Sequence, residues 1–99
     1  MAVTVTVAPR VQVAAKKLPV AESRILGEFI RLVLVMGVNP NSAASTAHAH
    51  SKPVDPADKA EAFGATTELV ISPHNRVFYK YTGAILLLTN LVPVAPPKP

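Results

Sequence analysis

Side chains able to do chemistry are sparse in this chain. His48-Ala49-His50 is the one histidine cluster, and a His-x-His pair on a strand turns both rings to the same side. Two imidazoles fall short of the three protein ligands of a catalytic zinc or the four of a structural one. Further ligands would have to come from His74, Asp55 or Asp58. The pair therefore reads as part of an ordinary loop, with no metal and no cofactor. Cysteine is absent, which removes thiolate catalysis, disulfides and cysteine-ligated zinc. There is no glycine-rich phosphate loop and no nucleophile elbow. Of the six carboxylates, Asp55, Asp58, Glu61 and Glu68 fall in one short stretch, where they read as dressing for a helix rather than as an acid/base pair. On these grounds the chain is not expected to be an enzyme.

A second pattern could bind rather than react. Arg76, Phe78 and Lys80 alternate with Val77, Tyr79 and Tyr81. On a strand, one face would carry the two tyrosines and the other a phenylalanine between cations. Aromatics flanked by basic residues can stack bases. The glycine-containing signature of RNA-recognition strands is missing, however. The simpler reading packs one face on a core and leaves amphipathic side chains on the other.

The elements that would position these residues are legible in outline. Val3, Val5 and Val7 alternate with Thr4 and Thr6, a period of two made of β-branched residues, and Val11-Gln12-Val13 resumes it after Pro9. Residues 1–19 thus read as an extended arm or edge strand, bent at the proline. Residues 20–36 read as a helix, with Glu22 in the first turn and Gly37 and Pro40 as stop signals. Arg24, Glu28 and Arg31 share one stripe of it, while Ile25, Phe29, Val33 and Met36 share the other. Leu32 to Met36 is apolar on every face, so that end needs cover all round or belongs to a strand.

Residues 39–54 read as a long loop. Residues 56–63 form a short helix, capped by Asp55, opened by Pro56, closed by Gly64 and anchored by Phe63. Strands follow at 67–72, 76–82 and 84–91, the first two joined as a hairpin through Pro73-His74-Asn75. From Pro93, with Pro96, Pro97 and Pro99, the tail 93–99 reads as extended and polyproline-like. The expected fold is α+β and β-rich, with residues 20–92 as its single small domain.

Composition bears on partners. The chain has 99 residues, 49% of them hydrophobic, and ten prolines break its apolar runs. So greasy a chain would bury more surface than a domain this small can enclose, which points to protein partners or self-association. No apolar run approaches the roughly twenty residues that cross a bilayer. The first fifteen residues lack a basic segment followed by an apolar one, so synthesis without a signal peptide is the expectation. Charge is uneven: residues 1–31 carry a net +3, residues 32–68 a net −2 and residues 69–99 a net +3. Nucleic-acid binders concentrate basic residues more densely.

The functional expectation is a small structural subunit of a larger assembly, most naturally a virion component such as a phage capsid or tail accessory. Val3, Val5, Val7, Tyr79, Tyr81, Pro93, Pro96 and Pro97 are its interaction residues. Its first fifteen residues would add a strand to a neighbour's sheet. The runners-up are a small nucleic-acid-binding module that uses the basic and aromatic strand, and an accessory subunit at the surface of a membrane complex.

Overall fold

Alternating valines open the chain as β1, Thr4–Val7, and that strand pairs within its own sheet. The structure, a computed structural model, describes residues 3–93. The chain continues as α1 (Pro9–Ala15), α2 (Val20–Leu34), α3 (Pro40–Thr46) and β2 (His50–Pro53). A 3-10 turn at Pro56–Asp58 then runs into α4 (Lys59–Ala62), followed by β3 (Thr67–Val70), β4 (Asn75–Tyr81) and β5 (Ile85–Pro93). The five strands form one sheet in the order β1-β5-β4-β3-β2. β1 runs parallel to β5, with Thr4 opposite Ile85 and Val7 opposite Leu88, and every other pair is antiparallel. The fold is α+β, built on a mixed sheet.

The expected arm is therefore a strand and a helix of the core. Val3 is buried, and Val5 and Val7 pack against the same cluster. The Val11-Gln12-Val13 alternation does not resume a strand, because Pro9 occupies the first position of α1 and suits a helix start. Val11, Ala14, Ala15 and Leu18 then fall at helical spacing and face the core, while Val13 points outward.

α2 matches its expected start and ends at Leu34, not 36. Leu26, Phe29, Leu32 and Val33 are buried; Leu34, Val35 and Met36 are exposed. The apolar end of the helix is thus not covered all round. Gly37, at φ 67°, then reverses the chain, and the Val38 N–H donates to the Leu32 carbonyl at 3.0 Å. On the outer stripe, Arg31 makes a two-pronged pair with Glu28 at 2.6 and 3.1 Å, as the three-residue spacing allows.

The stretch 39–54 is not a loop. Asn39 caps α3 by accepting the Asn41 N–H at 2.9 Å, and Pro40 takes the first helical position. Ala43, Ala44 and Ala47 lie on the buried face, where small side chains let α3 sit close to its neighbours. β2 then closes one edge of the sheet. The short helix is capped as expected, Asp55 accepting the Ala57 N–H at 2.8 Å. Its buried residue is Ala62, whereas the expected anchor Phe63 is 56% exposed at φ 48°.

The hairpin through Pro73-His74-Asn75 is present, with Val70 opposite Arg76. β5 extends to Pro93, which lies opposite Asn75, so the first proline of the expected tail belongs to the sheet. Pro96 and Pro97 lie outside the described residues. A bulge at Phe78/Tyr79 leaves Thr89 as the extra residue of β5. The two sheet faces differ sharply. Leu69, Val77, Tyr79, Leu86, Leu88 and Leu91 join α1, α2 and α3 in the core. Glu68, Phe78 and Asn90, which share a cross-strand row, face α4 instead.

Candidate functional site

The strand weighed for base stacking as a runner-up is covered at Tyr79 on one face and at Phe78 on the other, while Lys80 is exposed. On the core side Tyr79 is buried; its ring lies 5.4 Å from that of Phe29, and its hydroxyl is 2.8 Å from the Ser51 hydroxyl. Burial pushes the Tyr79 hydroxyl up, with the Ser51 hydrogen bond opposing. Tyr81 is half-buried against the same core. Both tyrosines are placed as packing residues by their chain's own helices.

On the other face Phe78 is fully buried, and Arg76 is neutralised. Its guanidinium meets Asp58 at 2.8 Å, Glu68 at 3.2 Å and Glu61 at 3.4 Å, and sits 5.0 Å over the Phe78 ring. The hydrogen bond with Asp58 is the main reason that Arg76 is held above its ordinary value; burial opposes it, and Glu68 adds to it. Buried Glu68 also has Lys52 at 3.9 Å, although its Oε2 and the Arg76 Nε lack hydrogen-bond partners among the described residues. Around this cluster Thr89 Oγ1 donates to the Ala62 carbonyl at 2.5 Å, and Asn90 Nδ2 to the Glu61 carbonyl at 2.8 Å. Those two bonds take up carbonyls that the end of α4 would leave open. The acidic stretch is thus a latch that fixes the 3-10 turn and α4 to the sheet, and Arg76 is its bolt.

A second buried carboxylate ties α2 to the β3–β4 turn. Glu22 accepts from the Ser72 hydroxyl and, at 2.9 Å, from Asn75 Nδ2. Ser72 Oγ in turn accepts the His74 and Asn75 N–H groups, each at 3.0 Å. The Ser72 and Asn75 hydrogen bonds hold Glu22 below the usual carboxylate range, against the opposing effect of burial, and His74 adds a small pull in the same direction.

The histidines do not converge on a ligand set. His48 is exposed at φ 65° in the turn before β2, which His50 opens. Among the described residues no group of three His, Asp or Glu side chains is placed to hold a metal ion. No helix among them is long and apolar enough to cross a membrane.

What sequence reasoning missed is a groove of about 290 Å³ between α1 and the far end of the sheet. Val13, Ala14, Leu18, Leu91 and Pro93 supply its apolar wall. Exposed Arg10 and Lys17 flank it, and Asn75 closes it. Val13 is 58% exposed at the rim of this groove. Arg10 also stacks 3.8 Å over the exposed Phe63 ring, which extends the same cationic and apolar strip. The signal in the sequence is the spacing of Arg10, Val13 and Lys17 on one helical face, invisible once the segment is taken for a strand.

No protein-family model matches the chain, and no curated protein matches it. The fold itself, a mixed sheet with two N-terminal helices on one face, has a counterpart among solved structures. It is similar to a chain in the crystal structure of the archaeal RelE–RelB complex from Pyrococcus horikoshii OT3. The TM-score is 0.61 at 16% identity, over 94% of this chain and 96% of that one. This likeness is one of fold, and it overturns the expectation of a virion or capsid accessory. The physical basis of that expectation fails as well: Val3, Val5 and Val7, assigned to a neighbour's sheet, are used by the chain's own.

Proposed function

We propose that this chain is one member of a two-protein module of the RelE–RelB, toxin–antitoxin type. The observation that carries this reading is the likeness of fold over nearly the full length of both chains. Its surface supports the reading. Val13, Val20, Leu34, Val35, Met36 and Phe63 remain exposed after the core is complete, and apolar side chains in such numbers suit burial by a protein partner. The reading is one of binding and assigns no catalytic residue.

Expression of the chain alone should slow growth of a bacterial host. A co-expressed library of fragments from the source genome should then yield a clone whose product restores growth and copurifies at fixed stoichiometry. No growth effect and no such clone would overturn the proposal. Incubating purified chain with RNA distinguishes binding alone, which leaves the RNA intact, from a module that also cuts it.

A further inference from the structure

The groove beside α1 carries charge that this chain cannot answer. Among the described residues Arg10 and Lys17 make no ion pair, and no carboxylate lines the groove between them. Every acidic side chain of the protein is engaged elsewhere. Glu22 is buried under Ser72 and Asn75, Glu28 holds Arg31, and Asp55 caps the Ala57 N–H. Asp58, Glu61 and Glu68 surround Arg76. A second copy of the chain would therefore have to draw its carboxylates away from contacts they already make within their own chain. The chain's own residues 94–99 contain Lys98 and no acidic side chain, so they bring no side-chain carboxylate to Arg10 and Lys17.

The occupant that satisfies both the wall and the flanks comes from outside. We propose that this groove docks an acidic amphipathic segment of a partner protein. Its apolar side chains would lie on Val13, Leu18 and Leu91, and its carboxylates would reach Arg10 and Lys17. An amphipathic helix laid in a groove by anchors on one face is the common form of such recognition. The inference rests on the two-protein reading for its partner, but the chemistry of the groove stands on the residues named here.

The test uses the full chain and a fluorescent amphipathic peptide of Leu, Ala and Glu, with a twin in which Lys replaces every Glu. The Glu peptide should bind, more weakly in high salt, and the Lys twin should not. The double variant R10E/K17E should lose affinity by about tenfold or more and shift preference toward the Lys twin. V13D should lose a similar amount, whereas V35D, at the end of α2 and outside the groove, should not. Circular dichroism and melting establish that each variant is folded. Failure of the Glu peptide to bind, equal binding of the twin, or equal losses in V13D and V35D would overturn the proposal. So would a large gain in affinity on deleting residues 94–99, which would make the chain's own tail the occupant. If a library partner is found and folded R10E/K17E binds it undiminished, the two-protein reading stands and the groove assignment falls. If no partner is found but the peptides still discriminate, the groove assignment stands and the two-protein reading falls.

Discussion

Glu22 offers the sharpest test of how α2 is fastened to the sheet. It is only 7% exposed, faces no cation in an ion pair among the described residues, and is kept ionised by the hydroxyl of Ser72 and the amide of Asn75. Hydrogen bonds to a charged group contribute about 1.5–3 kcal/mol each, and they do not add fully. Glu22→Ala removes both and leaves the Ser72 hydroxyl without its acceptor, so a loss of about 3 kcal/mol is expected at pH 7. In a domain of this size each kcal/mol shifts the melting temperature by about 4–8 °C. Glu22→Gln keeps an acceptor oxygen without charge and should cost about 1–2 kcal/mol.

The pH dependence follows from the sign of the shift. The folded-state value of Glu22 is depressed, so its contribution is fully present above the unfolded value, near 4.5, and disappears as pH falls through the lower folded value. The stability gap between the native protein and Glu22→Gln should therefore be widest at neutral pH and close progressively in acid. Urea titrations across that range, read by circular dichroism, measure the gap directly. A gap that stays constant down to strong acid would refute the account, as would a Glu22→Ala cost below about 0.5 kcal/mol, the scale of ordinary surface changes.

Three further outcomes are expected. Arg76→Met should cost about 3–5 kcal/mol by stranding buried Glu68 beside Asp58 and Glu61; limited proteolysis should then cut within residues 55–66, and an unchanged digestion pattern would count against the latch. Tyr79→Phe should lose about 1 kcal/mol with the Ser51 hydrogen bond, while the ring packing on Phe29 persists; chemical denaturation measures it. Deleting residues 1–7 removes β1 and buried Val3 from the sheet, so the shortened chain should lose cooperative unfolding; a truncated chain with the native melting curve would contradict the observed pairing of β1 with β5.

Local chemistry made much of this architecture legible in the sequence. Asp55-Pro56 marks a helix start because the carboxylate can accept the Ala57 N–H and proline loses nothing at the first helical position. The β3–β4 hairpin and the span of α2 follow from turn residues and apolar spacing in the same way. The misread segments are those whose signals are short and ambiguous. Val11-Gln12-Val13 fits a strand by alternation, and only the contacts of Val11, Ala14, Ala15 and Leu18 with the core settle it as helix. Asn39-Pro40 carries the same start signal as Asp55-Pro56, yet the small residues after it gave no apolar stripe to confirm α3.

What the tertiary structure alone decided is which partners each side chain meets. The sequence by itself determined that the stretch holding Val5 and Val7 forms a strand, but a free edge at β5 of the same chain, rather than a neighbour's sheet, received it. It likewise determined that Arg76 and Phe78 share a strand face. The fold then brought Asp58, Glu61 and Glu68 over that face and turned a candidate ligand platform into a buried latch. The groove beside α1 arises from residues more than seventy positions apart, Arg10 and Val13 against Leu91 and Pro93. No periodicity within a segment records such a meeting, because pairing between distant elements depends on the closure of the whole chain and not on local propensity.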